Sequence, residues 1–141
     1  MQYVTRGSKI LIVESDRAVL EMLQIRLDVA GYHALAARSA QAAVDMMRNA
    51  RPSAMIVELN LPDMSGLELL EIIKDAQGPS MPVLVMGRQL APDAVRQAVS
   101  LGARDCVAKP FGGAEIIDRV GRLLKRPTPS AAAARPVTWV A

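Results

Sequence analysis

Apolar residues follow two alternating patterns along the chain. Short apolar runs bounded by polar or turn residues predict strands that are buried on both faces, and apolar residues three or four positions apart predict amphipathic helices. The predicted strands are residues 9–14, 33–37, 54–58, 82–86 and 105–108. The predicted helices are residues 17–30, 40–49, 65–76, 91–101 and 113–125. This alternation predicts an α/β fold, a five-stranded parallel sheet flanked by five helices.

Residues that favour helix ends support these boundaries. Ser15-Asp16, Ser39 and Ser65 precede predicted helices as N-cap candidates. Gly31 follows the first helix in the position where glycine commonly ends one. Pro92 stands in the first turn of the fourth helix, where its missing N–H is harmless.

Three helices have a predicted apolar stripe. In the first helix the stripe is Val19, Leu20, Leu23, Leu27 and Ala30. In the third helix it is Leu67, Leu70 and Ile73, with Leu69 and Ile72 on its flank. In the fifth helix the stripe is Ile116, Ile117, Val120, Leu123 and Leu124.

Composition and charge narrow the class of protein. The chain has 141 residues, 51% of them hydrophobic and 3% aromatic, so aliphatic side chains must build the core. Scarce aromatics disfavour base-stacking nucleic-acid modules, and we expect no direct nucleic-acid binding. Residues 1–87 hold 8 basic and 10 acidic residues, whereas 88–141 hold 9 and 4, so the second part is mildly basic.

Cysteine usage and hydropathy bear on location and metals. The single cysteine, Cys106, cannot form an intramolecular disulfide, and no Cys/His spacing predicts a zinc site. No apolar run reaches the length of a membrane span, and the first ten residues lack a signal-peptide pattern. We expect a cytoplasmic protein without membrane contact.

The last residues differ from the rest in composition. Residues 126–141, RPTPSAAAARPVTWVA, contain three prolines and an alanine run, which predicts a flexible tail or linker. The domain boundaries are therefore 8–125 for the globular part and 126–141 for the tail. A short docking peptide around Trp139 is the alternative.

The topology predicts where chemistry would occur. In parallel α/β sheets, ligands bind at the carboxyl ends of the strands. The residues at these ends are Glu14, Ser15 and Asp16 after the first strand, Glu58 at the end of the third, Gly87 and Arg88 after the fourth, and Lys109 after the fifth.

Four segments carry a family resemblance. ILIVESD at 10–16, VELNLPDMSGLELL at 57–70, PVLVM at 82–86 and GARDCVAKPF at 102–111 resemble, in order and spacing, the CheY-like receiver domain of two-component response regulators. The resemblance implies a flavodoxin-like fold that accepts a phosphoryl group from a histidine kinase on an aspartate ending the third strand. It also implies magnesium held by acids after the first strand, and a lysine that contacts the phosphoryl group.

The pocket departs from that pattern. Carried over by position, the phosphoacceptor is Glu58 instead of Asp, the acidic-pocket positions are Glu14, Ser15 and Asp16, and only Lys109 is retained. One extra methylene moves the carboxylate outward by about 1–1.5 Å, and displacements of about 1 Å can cost about 10²-fold in rate. Ser15 replaces a charged ligand with a hydroxyl, which suits magnesium poorly. We expect no catalytic residue, no metal and no cofactor.

The switch positions depart as well. The resemblance implies a Ser/Thr after the fourth strand and an aromatic on the fifth, which move together on activation. Gly87 and Cys106 occupy these positions. Gly87 has no hydroxyl that could donate to a phosphoryl oxygen, and Cys106 lacks an aromatic ring. We interpret Cys106 as a small, half-buried residue that fills space, with a redox sensor as the alternative. His33, the only histidine, is predicted on the surface.

These features predict a phosphorylation-independent pseudo-receiver. It is expected to be a non-enzymatic, monomeric or weakly dimeric adaptor that binds a histidine kinase, a phosphotransfer protein or another regulator. Glu58 is predicted to pair with Lys109, either locking one state or merely satisfying the lysine. Residual phosphoryl acceptance on Glu58 is a further alternative.

A basic surface is the predicted partner face. By the family fold, several arginines would lie on or near the surface formed by the fourth helix, the fifth strand and the fifth helix; the candidates are Arg88, Arg96, Arg104, Arg119 and Arg122. Guanidinium groups also suit phosphate, so an anionic nucleotide ligand is one alternative. The receiver half of a truncated transcriptional regulator is another.

Overall fold

The computed structural model describes residues 7–77 and 81–125. The strands are β1 Lys9–Val13, β2 His33–Ala37, β3 Ala54–Glu58, β4 Val83–Gly87 and β5 Ala103–Ala108. The helices are α1 Arg17–Val29, α2 Ala40–Ala50, α3 Gly66–Gln77, α4 Pro92–Ser100 and α5 Gly113–Lys125. The strands form one parallel sheet in the order β2-β1-β3-β4-β5, which confirms the predicted fold class.

The core has one layer on each side of the sheet. On one side α1 and α5 pack against alternate strand residues such as Ile12, Ile56 and Leu84. On the other side α2, α3 and α4 pack against the intervening residues such as Val57. Every residue of β3 and β4 is buried, because both are central strands covered on both faces.

Helix ends follow the predicted chemistry. Asp16 caps α1 by accepting from the backbone N–H groups of Ala18 and Val19, and Ser39 caps α2. Ser65 and Glu68 form a reciprocal capping box at the start of α3, with both hydrogen bonds at 3.1 Å. Gly31 has a positive φ of 99°, as expected for a residue that ends a helix.

Two side chains predicted to be buried are exposed. Ile72 is 41% exposed, whereas Leu69, predicted on the flank of α3, is completely buried. The stripe of α3 is therefore centred on Leu69, Leu70 and Ile73, and Ile72 lies outside it. Ala30 is the C-cap of α1 and is exposed.

The fifth strand begins earlier than predicted. It starts at Ala103, and its register with β4 shifts between Val83 and Leu84, so Arg104 is passed over in the pairing. The prediction started the strand too late because Arg104 and Asp105 are polar. An edge strand tolerates polar residues that a central strand would not.

The helices of the described ranges have at most 13 residues. None of them is long and apolar enough to cross a membrane. The predicted tail, 126–141, lies outside the described residues, so its flexibility stays a prediction from composition.

Candidate functional site: a closed carboxylate–lysine pocket

Three charged residues meet at the carboxyl edge of the sheet. Val13 of β1 pairs with Val57 of β3, so the following residues, Glu14 and Glu58, are neighbours at the strand ends. Lys109 follows β5, and its N–H donates to the carbonyl of Gly87 at the end of β4. The sheet order therefore brings all three residues to one place.

Lys109 binds both carboxylates. Its Nζ lies 2.5 Å from Oε1 of Glu14 and forms a second ion pair with Oε1 of Glu58. The exposed fractions of the side chains are 8% for Lys109, 2% for Glu14 and 5% for Glu58. The predicted ion pair between Glu58 and Lys109 is present, and Glu14 shares the same ammonium, which the sequence did not indicate.

The second oxygen of each carboxylate binds backbone. Oε2 of Glu14 accepts from the N–H of Asp16 at 2.9 Å, and Oε2 of Glu58 accepts from the N–H of Asn60 at 2.9 Å. Each glutamate thus folds back onto the loop that comes after it, two residues on. All four carboxylate oxygens have a partner, and no buried side-chain nitrogen or oxygen in the described part of the chain lacks one.

The electrostatics favour a charged lysine. Burial lowers the pKa of Lys109, but hydrogen bonds and charges from Glu14 and Glu58 raise it more, so its pKa lies above the ordinary value. Lys109 is therefore an ammonium across the neutral range. Removing one partner of such a buried set is costly, because it leaves the others uncompensated.

The other two residues at the acidic-pocket positions, Ser15 and Asp16, do not bind Lys109. The carboxylate of Asp16 is exposed and caps α1 through Oδ1. Ser15 is half-buried, and its carbonyl accepts from Nη2 of Arg38 at 2.9 Å. Within 7–77 and 81–125, no group of three or more His, Cys, Asp or Glu side chains is arranged to hold a metal ion.

Two leucines fill the space above Gly87. A Cβ at position 87 would lie 3.2 Å from Cδ2 of Leu90 and 3.3 Å from Cδ1 of Leu59. Both distances are shorter than ordinary van der Waals contact. The position that lacks a hydroxyl is thus also one where a side chain would have to displace its neighbours.

The loop between β3 and α3 is tied at two points. The carboxylate of Asp63 accepts from the N–H groups of Ala40 at 3.0 Å and Gln41 at 2.9 Å, at the start of α2. The N–H of Gly66 donates to the carbonyl of Leu59 at 2.7 Å. Sequence reasoning missed Asp63, although an aspartate is a plausible partner for any helix N-terminus.

These bonds lower the pKa of Asp63, first through the N–H of Ala40 and then through that of Gln41. A depressed folded pKa stabilises the protein above the ordinary value of 3.8, and this stabilisation is lost as the pH falls through the folded pKa. Asp63→Asn should therefore unfold at lower urea than the wild type at pH 7, and the difference should shrink below pH 3.8. The control is Asp75→Asn, on the exposed surface of α3. A difference that stays constant down to pH 3 would contradict this role.

The fifth strand and fifth helix share a polar cluster. Nη1 of Arg119 lies 2.8 Å and 2.9 Å from the two carboxylate oxygens of Asp105, and Glu115 also pairs with this guanidinium. Cys106 is half-buried beside them, as predicted, and its pKa is raised by burial and by the charge of Asp105. A raised pKa disfavours the reactive thiolate.

The predicted partner face is largely occupied by ion pairs within the domain. Arg96 pairs with Asp93, and Arg122 pairs with Asp118. Arg119 is held by Asp105 and Glu115, and Arg104 is half-buried and has a partner. Arg88 is exposed. His33 is exposed at the start of β2, as predicted.

Comparisons with known proteins agree on one family. The model of the response regulator receiver domain matches residues 10–121. "Response regulator MprA" of Mycolicibacterium vanbaalenii is 35% identical over 124 residues, which are 86% of this chain and 52% of that protein. "Response regulator protein FleR" of Pseudomonas aeruginosa is 36% identical over 116 residues, 82% of this chain and 24% of that protein.

A solved structure agrees as well. The non-phosphorylated HemR receiver domain from Leptospira biflexa superposes with a TM-score of 0.81 at 28% identity, covering 87% of this chain and 98% of that one. The chain spans about half the length of the MprA relatives that it matches. With the family model covering most of its length, the chain belongs to the response regulator receiver family of two-component signalling.

Proposed function

We propose that this receiver works without phosphorylation, as a cytoplasmic protein-interaction adaptor in a two-component network. The observation that carries the proposal is the state of Glu58. Its side chain is 5% exposed, one oxygen binds Lys109 and the other binds the N–H of Asn60. A carboxylate oxygen must approach an incoming phosphorus atom, and the contacts of both Glu58 oxygens, with Lys109 and with the N–H of Asn60, restrain that approach.

The donor set also argues against magnesium. Phosphoryl transfer to a carboxylate relies on a cation to neutralise the incoming charge. Here the ammonium of Lys109 lies between Glu14 and Glu58, and Asp16 is turned toward α1. Ser15 offers only a neutral oxygen. Residues already satisfied by one another fit a bound magnesium ion poorly, so we propose that none is required.

The residues at the two switch positions, Gly87 and Cys106, support a domain that keeps one conformation. Gly87 cannot donate to a phosphoryl oxygen, and Leu59 and Leu90 occupy the space that a longer side chain would need. Cys106 has no ring to swing inward. Glu58 therefore both satisfies Lys109 and locks the pocket, and the partner binds a surface that does not change.

The partner is proposed to be a histidine kinase, a phosphotransfer protein or another regulator. An anionic nucleotide has less support, because Arg96, Arg119 and Arg122 already pair with carboxylates of this domain. A titration with a cyclic dinucleotide that shifts the amide signals around these three arginines would reverse that preference.

The pocket is tested by amide NMR with magnesium and then beryllofluoride. We expect no saturable shifts near Glu14, Glu58 and Lys109 in the wild type. Glu58→Asp alone should behave the same way, because Ser15 still withholds a charged ligand. Glu58→Asp combined with Ser15→Asp should bind magnesium. Saturable amide shifts in the wild type, or magnesium binding by Glu58→Asp alone, would contradict the proposal.

A second candidate is the receiver part of a longer transcriptional regulator. Its support is the length of the relatives, of which the chain spans 52% for MprA and 24% for FleR. Sequencing the gene beyond codon 141 and measuring the mass of the native protein decide between them. A continuing reading frame that encodes a DNA-binding domain favours the regulator, and a native mass of 15.1 kDa favours the stand-alone adaptor.

A further inference from the structure

Helix α1 is apolar on the side that faces away from the sheet. Its buried side is formed by Leu20, Leu23 and Leu27. On the opposite side Ala18, Ile25 and Val29 are exposed. Met22 lies in the same row, at spacings of four, three and four residues, but it is half-buried and also packs against the core. We call these four residues the solvent stripe. Ile25 is 63% exposed and Val29 is 83% exposed.

The solvent stripe is unusual for this domain. Elsewhere in the described chain the large exposed hydrophobics are Ile72 and Val99, single residues on two different helices. Single exposed apolar residues are normal on a protein surface, whereas a continuous row indicates a contact. Glu21 and Asp28 form an acidic border along one flank of the row, and Arg17 precedes them on the same flank at the start of the helix.

We propose that the solvent stripe binds residues 137–141 of the same chain, VTWVA, in cis. Val137, Trp139 and Val140 supply apolar surface, and a buried tryptophan alone can cover about 150–250 Å². Arg135, just before this segment, matches the acidic border formed by Glu21 and Asp28. The proposal does not depend on the state of the Glu58 pocket.

The fold places the end of α5 at the same end of the domain as the end of α1. Helices α1 and α5 lie side by side on the same face of the sheet, and both begin at the carboxyl edge of the strands. Their last residues, Val29 and Lys125, are therefore at the same end. Tyr32, just after α1, lies next to α5: a Cβ on Gly121 would be 3.9 Å from its hydroxyl.

The tail is long enough to reach. Residues 126–136 can span at most about 36 Å, at about 3.3 Å per residue. Helix α1 has 13 residues and is about 20 Å long at 1.5 Å per residue. A segment that begins at position 137 can thus reach every residue of the stripe. Bound there, it would compete with any protein that uses this face of α1.

Trp139 is the only tryptophan among the 141 residues, so its fluorescence tests the contact in this chain. Compared with the free peptide 126–141, we expect blue-shifted emission and weaker acrylamide quenching. Ile25→Gln with Val29→Gln should return both values to those of the peptide. The matched control, Ile72→Gln, changes an exposed isoleucine on α3 and should leave both values unchanged. Circular dichroism verifies that all variants are folded.

Three results would overturn the proposal. The first is wild-type emission and quenching equal to those of the peptide. The second is a blue shift that survives the double substitution, which would place Trp139 elsewhere. The third is a blue shift that disappears on dilution, which would assign the stripe to a second copy of the chain.

Discussion

Replacing Lys109 by methionine should lower the free energy of unfolding by about 3–5 kcal/mol, the range for removing one partner of a buried ion pair. The substitution leaves Glu14 and Glu58 facing each other, with exposed fractions of 2% and 5%. Urea unfolding followed by circular dichroism measures the loss. Lys125→Met, at the exposed end of α5, is the matched control and should change stability by less than about 0.5 kcal/mol.

A triple variant distinguishes the cost of the unpaired charges from the cost of lost packing. Adding Glu14→Gln and Glu58→Gln to Lys109→Met removes the buried charges together, so the triple variant should be more stable than Lys109→Met alone. If the triple variant is no more stable, the loss comes from packing and our account of the pocket is wrong.

The contribution of Lys109 to the free energy of unfolding depends on pH in one direction. The pKa of Lys109 is raised above the ordinary 10.5, so its contribution is complete below pH 10.5 and is lost as the pH rises through the folded pKa. Lys109 therefore stays charged between pH 7 and 9. Its titration should not change the difference in the free energy of unfolding between the wild type and Lys109→Met over this range, which urea unfolding at each pH would measure.

Gly66→Ala should have the second-largest effect, a loss of about 2–3 kcal/mol, at the upper end of the overpacking range. A Cβ at position 66 would lie 2.4 Å from the carbonyl oxygen of Glu58 and 3.0 Å from Cα of Leu59. These are backbone atoms held by the sheet, so they cannot rotate away as a side chain could. The amide signals of Glu58 and Asn60 should also shift, because the strand end must move.

Gly112→Ala is the matched control for this steric argument. Gly112 is exposed, and a Cβ there would have no heavy atom within 4 Å. Its stability should stay within about 0.5 kcal/mol of the wild type. Equal losses in the two variants would mean that the contact with Glu58 does not set the cost, since a Gly→Ala change without a clash restricts the unfolded chain and should not destabilise.

Large losses in both Lys109→Met and Gly66→Ala would identify the pocket as a structural element. In this structure Glu14, Glu58 and Lys109 satisfy one another and hold the ends of β1 and β3 and the loop after β5 in place. A phosphoryl group that entered this pocket would have to displace these contacts. On our proposal, these three residues would then stabilise the fold while the surface of the receiver binds the partner.

The sequence by itself determined the architecture. Central strands such as Ala54–Glu58 are continuous apolar runs, and local cap chemistry at Asp16, Ser39 and Ser65 marks helix starts within a few residues. These signals are local, so the order of residues alone suffices to recognise them. The topology then placed Glu14, Glu58 and Lys109 at one edge, and the pairing of Glu58 with Lys109 was a consequence of that placement.

Only the tertiary structure decided which residues share a partner. Glu14 and Lys109 are 95 positions apart, and their contact depends on the order of the strands and on the side-chain conformations. The same holds for Asp63 at the start of α2, and for the two leucines above Gly87. A hydrophobic pattern gives the period of a helix but fixes its rotation against the sheet only roughly. For that reason the pattern misplaces Ile72, and the exposed row on α1 becomes visible only in the folded chain.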